Sequence, residues 1–167
     1  MKKINTLFLP FILLVNMAQA NDEKVYSFIG VQTSATQFED KTTPTIGFRY
    51  GMQSSNARTA ISYNYGKKSS NSYHTLIMQM DTGIFSNTFA DSKLKPYVGA
   101  SLGVMQHNNK DLSSPRDRGY LYGVNAGVSY IVNDIIDLDL GYKFLKTENL
   151  NNIDSINDLT FAMHYFY

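Results

Sequence analysis

Neither cysteine nor tryptophan occurs among the 167 residues of this sequence. Without cysteine there is no disulfide framework, no thiolate metal site, no thiol nucleophile and nothing for a lipoprotein anchor to acylate. An excess of charge of one sign is also missing. Removing Lys2 and Lys3 with a leader would leave 13 basic against 14 acidic residues, a formal charge of −1, which gives no polybasic signal for nucleic acid. No apolar run is long enough for a membrane-spanning helix, and mean hydropathy is −0.25. That excludes membrane helices only, because a barrel wall turns every second residue to its lumen, where polar side chains are tolerated.

What is present is 12 Tyr, 10 Phe and 11 Gly, a mixture that suits twisted strands with interfacial aromatics. Residues 1–20 read as a cleavable export signal. Lys2 and Lys3 form its basic start, Leu7 to Val15 its apolar run, and Ala18-Gln19-Ala20 its small-residue cleavage site before Asn21. An uncleaved anchor is the alternative, and the apolar run is short for it. Residues 21–167 then make one domain.

No stretch after the signal sustains a 3.6-residue period. Alternating segments recur instead at 25–37, 45–52, 58–66, 73–85, 95–106, 119–132, 135–146 and 158–167. The last is the clearest: Leu159, Phe161, Met163, Tyr165 and Tyr167 share one parity, while Asp158, Thr160, Ala162 and His164 share the other. Phe166 is out of phase. In the second segment Ile46, Phe48, Tyr50 and Met52 oppose Thr45, Gly47, Arg49 and Gly51. The first has an ambiguous phase, because Tyr26 and Phe28 fall on its polar row.

The pattern predicts an all-β fold, an eight-stranded antiparallel up-and-down transmembrane β-barrel, closed and monomeric. With the C-terminus periplasmic, connections 39–44, 67–72, 107–118 and 147–157 face outward, and 53–57, 86–94 and 133–134 face the periplasm. The 86–94 connection is longer than the short inner turns usual for such barrels. A soluble lipid-carrier barrel, with apolar rows inside, is the fold alternative.

Lys95-Pro-Tyr-Val-Gly-Ala-Ser-Leu-Gly103, Tyr122-Gly-Val-Asn-Ala-Gly-Val-Ser-Tyr130, Leu138-Asp-Leu-Gly-Tyr-Lys143 and the aromatic ending carry a resemblance. Through them the chain resembles the eight-stranded outer-membrane β-barrels of Gram-negative bacteria, the outer-membrane protein A-type and X-type group. The resemblance implies an outer-membrane location and a C-terminal strand read by the barrel-assembly machinery after escort by periplasmic chaperones. Phe161, Tyr165 and Tyr167 would be that assembly signal, with Tyr167 standing where Phe is usual. It also implies that the periplasmic peptidoglycan-binding domain of larger relatives is lacking, and with it a wall-anchoring role.

Three constellations are candidates for function. Arg49, Asp81, Asp137, Asp139 and Lys143 fall on lumen-facing rows, with His164 in phase nearby. In so narrow a barrel they form either a structural salt-bridge network or a narrow ion or proton path. His107, Asp111, Ser113 and Ser114 in one outer loop are residue types of a hydrolase or acyltransferase, and also what an ordinary turn contains. Lys67, Lys68, Lys110, Arg116 and Arg118 are candidate contacts to lipopolysaccharide phosphates or a host surface ligand. Asn151, Asn152, Asp154 and Asp158 are too sparse a ligand set for calcium, so no metal and no cofactor are expected. The sequence therefore points to a non-enzymatic structural or surface-interaction protein serving envelope integrity or adhesion. A lipid-modifying enzyme and a narrow ion channel are the alternatives.

Overall fold

The computed structural model describes residues 24–38, 41–83, 92–109, 116–150 and 153–167. The expected export signal, residues 1–20, lies outside them. Eight strands close into one antiparallel barrel in chain order: β1 (Tyr26–Phe38), β2 (Lys41–Gln53), β3 (Ala57–Lys68), β4 (Asn71–Thr82), β5 (Leu94–Asn109), β6 (Arg116–Asn133), β7 (Ile136–Glu148) and β8 (Ser155–Phe166). Closure is made by β1 and β8, which pair from Phe28 with Phe166 to Phe38 with Ile156. No backbone edge is left open, as a wall surrounded by hydrocarbon requires.

The period of two sorts the side chains as the sequence pattern predicts. Ile46, Phe48 and Val124 on the outward rows are 63, 68 and 62 % exposed, whereas Arg49, Asp139 and His164 on the inward rows are 3, 1 and 0 % exposed. The apolar surface therefore faces outward and the polar surface inward, the reverse of a soluble lipid carrier. In β1 the ambiguity resolves by position: Tyr26 is half exposed, while Phe28 turns inward and packs on His164 and Phe166 at centroid distances of 4.6 and 5.4 Å. The out-of-phase Phe166 is thus half-buried against a partner at the inner mouth.

All four outward connections are shorter than their polarity suggests. Residues 41–44, 67–68, 71–72, 107–109, 116–118, 147–148 and 155–157 belong to strands, so the connections run only from Phe38 to Lys41, Lys68 to Asn71, Asn109 to Arg116 and Glu148 to Ser155. Pro44 is tolerated inside β2 because the β2–β3 ladder begins at Thr45 with Gly66, so its missing N–H withdraws nothing from that side. Pro96 sits in the same way beyond the β4–β5 ladder, which ends at Thr82 with Val98. Ser69 turns the β3–β4 hairpin with φ 53°, and Asn149 leaves β7 with φ 62°. The β6–β7 turn falls at Asp134–Ile135, one residue later than read from sequence, with the Asn133 side chain accepting from the Ile135 N–H at 3.1 Å.

Leu140 is half exposed near the middle of β7, beside Val128 and Phe161. Leu140→Arg is expected to destabilise the barrel in lipid vesicles by about 2–4 kcal/mol, and Tyr120→Arg, near the outer strand end, by about 1 kcal/mol or less. Urea titration of vesicle-refolded protein measures both, and equal losses would contradict this orientation.

Candidate functional site

The lumen holds two chemically different halves. At the inner half the polar contacts begin as direct cross-strand neighbours: Arg58 forms an ion pair with Asp81, and Asp137 a hydrogen bond with His164. Arg58 Nε donates to Asp81 Oδ2 at 2.9 Å, and its Nη2 reaches across the bore to Asp139 Oδ2 at 2.8 Å. Arg49 Nη1 lies 3.6 Å from Asp139 Oδ1 and 3.3 Å from His164 Nε2. Because a guanidinium only donates, Nε2 accepts, and the proton on Nδ1 is given to Asp137 at 2.6 Å. Gln79 and Asn125 donate to Asp81 at 3.0 and 2.6 Å, and Ser129 to Asp137 at 2.9 Å.

Tyr97 braces this cluster. Its hydroxyl donates to Asp139 Oδ1 at 2.9 Å, and the Arg58 guanidinium lies 4.5 Å over its ring. The ring lies across Gly127 and Gly141, which follow Tyr97 in one register row. A Cβ at Gly127 would come within 2.4 Å of the tyrosine oxygen and 2.5 Å of Leu140 O, and one at Gly141 within 2.6 Å of the tyrosine oxygen, so a side chain at either position would displace the ring.

Lys143 belongs to a separate group higher in the bore. It donates to Asp158 at 2.8 Å and to Thr160 at 2.7 Å, and Asp158 also accepts from Thr36 at 2.6 Å. Gln32 and Asn64 join side chain to side chain at the same level. The predicted lumen set lies inside the barrel as two clusters, and Arg58, Tyr97 and Asp158 complete them. Arg58 shares parity with Ala60, Ser62 and Asn64, a signal that was available in the sequence.

The outer half of the lumen is apolar. Phe38, Tyr73, Ile77, Met105, Leu121, Leu145, Ile153 and Ile156 form a buried cluster there, with Leu150 packed against it. The residues from strands occupy inward rows that alternation alone marks as polar. His107 stacks on Tyr73 at 4.8 Å, Tyr73 stacks on Phe38 at 4.0 Å, and His107 Nε2 meets Asn71 Oδ1 at 3.0 Å. The imidazole is thus engaged in the roof of this plug. Asp111, Ser113 and Ser114, offered with it as chemistry-bearing residues, lie outside the described residues.

Outside the bore, Lys67, Arg116 and Arg118 are exposed on the outward parity of β3 and β6. The sequence places them in loops; the structure places them on strand ends, where the ladder fixes their backbones. Lys68 is also in β3, and its ammonium donates to Thr42 O at 2.7 Å. Lys110 lies outside the described residues. Phe161 and Tyr165 stand in the outward row of β8, with Tyr167 65 % exposed beyond it.

Removing Arg58 leaves Asp81 and Asp139 without their strongest partner in a desolvated bore. Arg58→Ala is expected to cost about 3–5 kcal/mol of stability, while exposed Lys67→Ala stays within about 0.5 kcal/mol, both read by urea unfolding in vesicles.

Comparison with known proteins places this arrangement. The sequence model described as "Outer membrane protein beta-barrel domain" matches residues 6–165. Among solved structures, the barrel is similar to neisserial surface protein A, with a TM-score of 0.69 at 18 % identity over 88 % of this chain and 100 % of that one. It is also similar to outer membrane protein H of Pseudomonas aeruginosa, with a TM-score of 0.64 at 20 % identity over 85 and 99 % of the two chains. The attachment invasion locus protein Ail of Yersinia pestis, solved with the heparin analogue sucrose octasulfate, matches with a TM-score of 0.50 at 13 % identity over 88 and 100 %. No functionally curated protein matches the sequence.

Proposed function

Because the chain belongs to the outer membrane protein β-barrel domain family, and so to the outer membrane, we propose that it is a non-catalytic structural and surface-interaction protein. It acts in envelope integrity or adhesion, as a monomer, through its outward end. The observation that carries this reading is the filled lumen. Ion pairs buried to a few per cent exposure occupy the inner half and a cluster of large apolar side chains the outer half, an arrangement suited to a rigid post. The chemistry left facing the surroundings includes the cationic strand ends Lys67, Arg116 and Arg118, suited to lipopolysaccharide phosphates or to a polyanionic surface ligand. Ail was solved with such a polyanion. On the same reading Phe161, Tyr165 and Tyr167 serve the assembly machinery during insertion, and closure of the ladder favours a single chain by leaving no strand edge to pair.

Deleting the protein is expected to raise cell uptake of a hydrophobic dye or lower attachment to host matrix, with restoration by the wild-type chain. Unchanged barrier and attachment would end this reading. Stepwise conductance of the purified barrel in planar bilayers would replace it with a channel, and a mass shift of lipid A on expression with an enzyme.

A further inference from the structure

The outward face of β3 to β6 is not uniform along its length. In one register row Tyr63, Leu76, Val104 and Tyr120 stand side by side across the strands, an apolar floor between tyrosines. In the next row toward the outer end stand Tyr65, His74, Gln106 and Arg118, and beyond it Lys67, Ser72, Asn108 and Arg116. The wall thus changes from hydrocarbon-compatible to hydrogen-bonding and cationic within one step of the pleat. The first two rows, apart from Tyr65, line a groove of about 450 Å³ on the outside of the barrel.

The polar groups in this groove are aimed and incompletely used. Gln106 Oε1 accepts from Arg118 Nε at 2.9 Å, which fixes the plane of the guanidinium. No contact from its two terminal nitrogens appears among the described residues, so the fork that binds a phosphate bidentately stays open. The Tyr63 hydroxyl lies 2.8 Å from His74 Nδ1, and a neutral imidazole that accepts there carries its proton on Nε2. Lys67 and Arg116 stand at opposite ends of their row, three strand spacings or about 14 Å apart. Glu148, paired with Tyr120, ends the cationic stretch at β7.

We propose that this groove is a binding site for one molecule of lipid A, the diphosphorylated, multi-acyl lipid of the outer leaflet. Its acyl chains lie on Leu76 and Val104 between Tyr63 and Tyr120. One phosphate is held by Arg118 and Arg116, and the other lies toward Lys67 and His74. Two separated cationic positions over an apolar floor match a lipid with two separated phosphates better than one with a single phosphate. The site deepens the envelope-integrity reading and rests on it, naming which lipid the post holds and where.

The test is native mass spectrometry of the folded full-length chain carried in detergent with diphosphorylated lipid A, monophosphorylated lipid A or phosphatidylglycerol. The wild type is expected to retain one diphosphorylated lipid A. Arg118→Gln and Lys67→Gln should each weaken retention about tenfold, the loss of one charge-assisted contact. Leu76→Trp, which fills the floor and leaves every charge in place, should weaken it too, while Lys146→Gln, an outward cation on β7, should not. Each variant is first checked for the heat-sensitive gel migration of a folded barrel. Equal losses with Lys146→Gln, equal retention of phosphatidylglycerol, or wild type that retains no lipid A would each overturn the proposal. Dye uptake by the deletion strain reads the envelope role separately, so failure of the groove and failure of that role are told apart.

Discussion

Hydrocarbon offers the peptide group no hydrogen-bond partner, and the architecture follows from that constraint. Every N–H and C=O at membrane depth must be satisfied by a neighbouring strand, so β1 has to find β8. Closing with only eight strands leaves a bore that inward side chains are just able to fill. Once it is filled, an inward charge has little water, which is why Arg58, Asp81 and Asp139 hold one another directly. Backbone closure, side-chain packing and ion pairing are thus successive consequences of one solvent property. A cross-lumen contact such as Arg58 to Asp139 ties β3 to β7, which share no ladder.

The two halves of the lumen depend on each other. An ion pair is stronger where water is kept away, and here water is hindered from both mouths. Phe28, itself packed on Phe166, covers His164 from the inner side, and the Phe38, Tyr73 and Leu121 cluster covers the charges from the outer side. The apolar plug in turn rests on packing, which by itself sets no register. It takes that from the ladders and from the ionic floor beneath it.

The sequence made the architecture legible because period-two alternation records which face meets lipid, and lipid tolerates few exceptions. It recorded strand ends poorly. Lys67, Lys68, Arg116 and Arg118 look like loop because they are polar, yet they lie in β3 and β6. Polarity marks where a strand leaves the hydrocarbon, whereas the ladder continues as long as its backbone partners do. Alternation also hid the outer plug. Ile77, Met105, Leu121 and Leu145 sit on rows otherwise made mostly of glycine and polar residues, and a parity rule reads them as noise. Their shared level in the outer half of the closed barrel is the signal that parity discards. Arg58 was missed for a simpler reason: it opens its segment, where a charged residue is easily taken for the turn before it.

The misread strand ends are also what lets this face of the barrel carry chemistry. A cation on a mobile loop must lose conformational freedom when it binds an anion, and that loss offsets much of the contact. A cation on a paired strand has already lost it in folding. Arg118 is held by its ladder partner Gln106, and Gln106 lies beside His74, so donors from three strands keep fixed spacings before any ligand arrives. Those spacings are stiff because the wall behind them is packed on its inner face by Met105 and Tyr73. The same filling therefore makes the outer wall a rigid surface, suited to recognition by placement rather than by net charge.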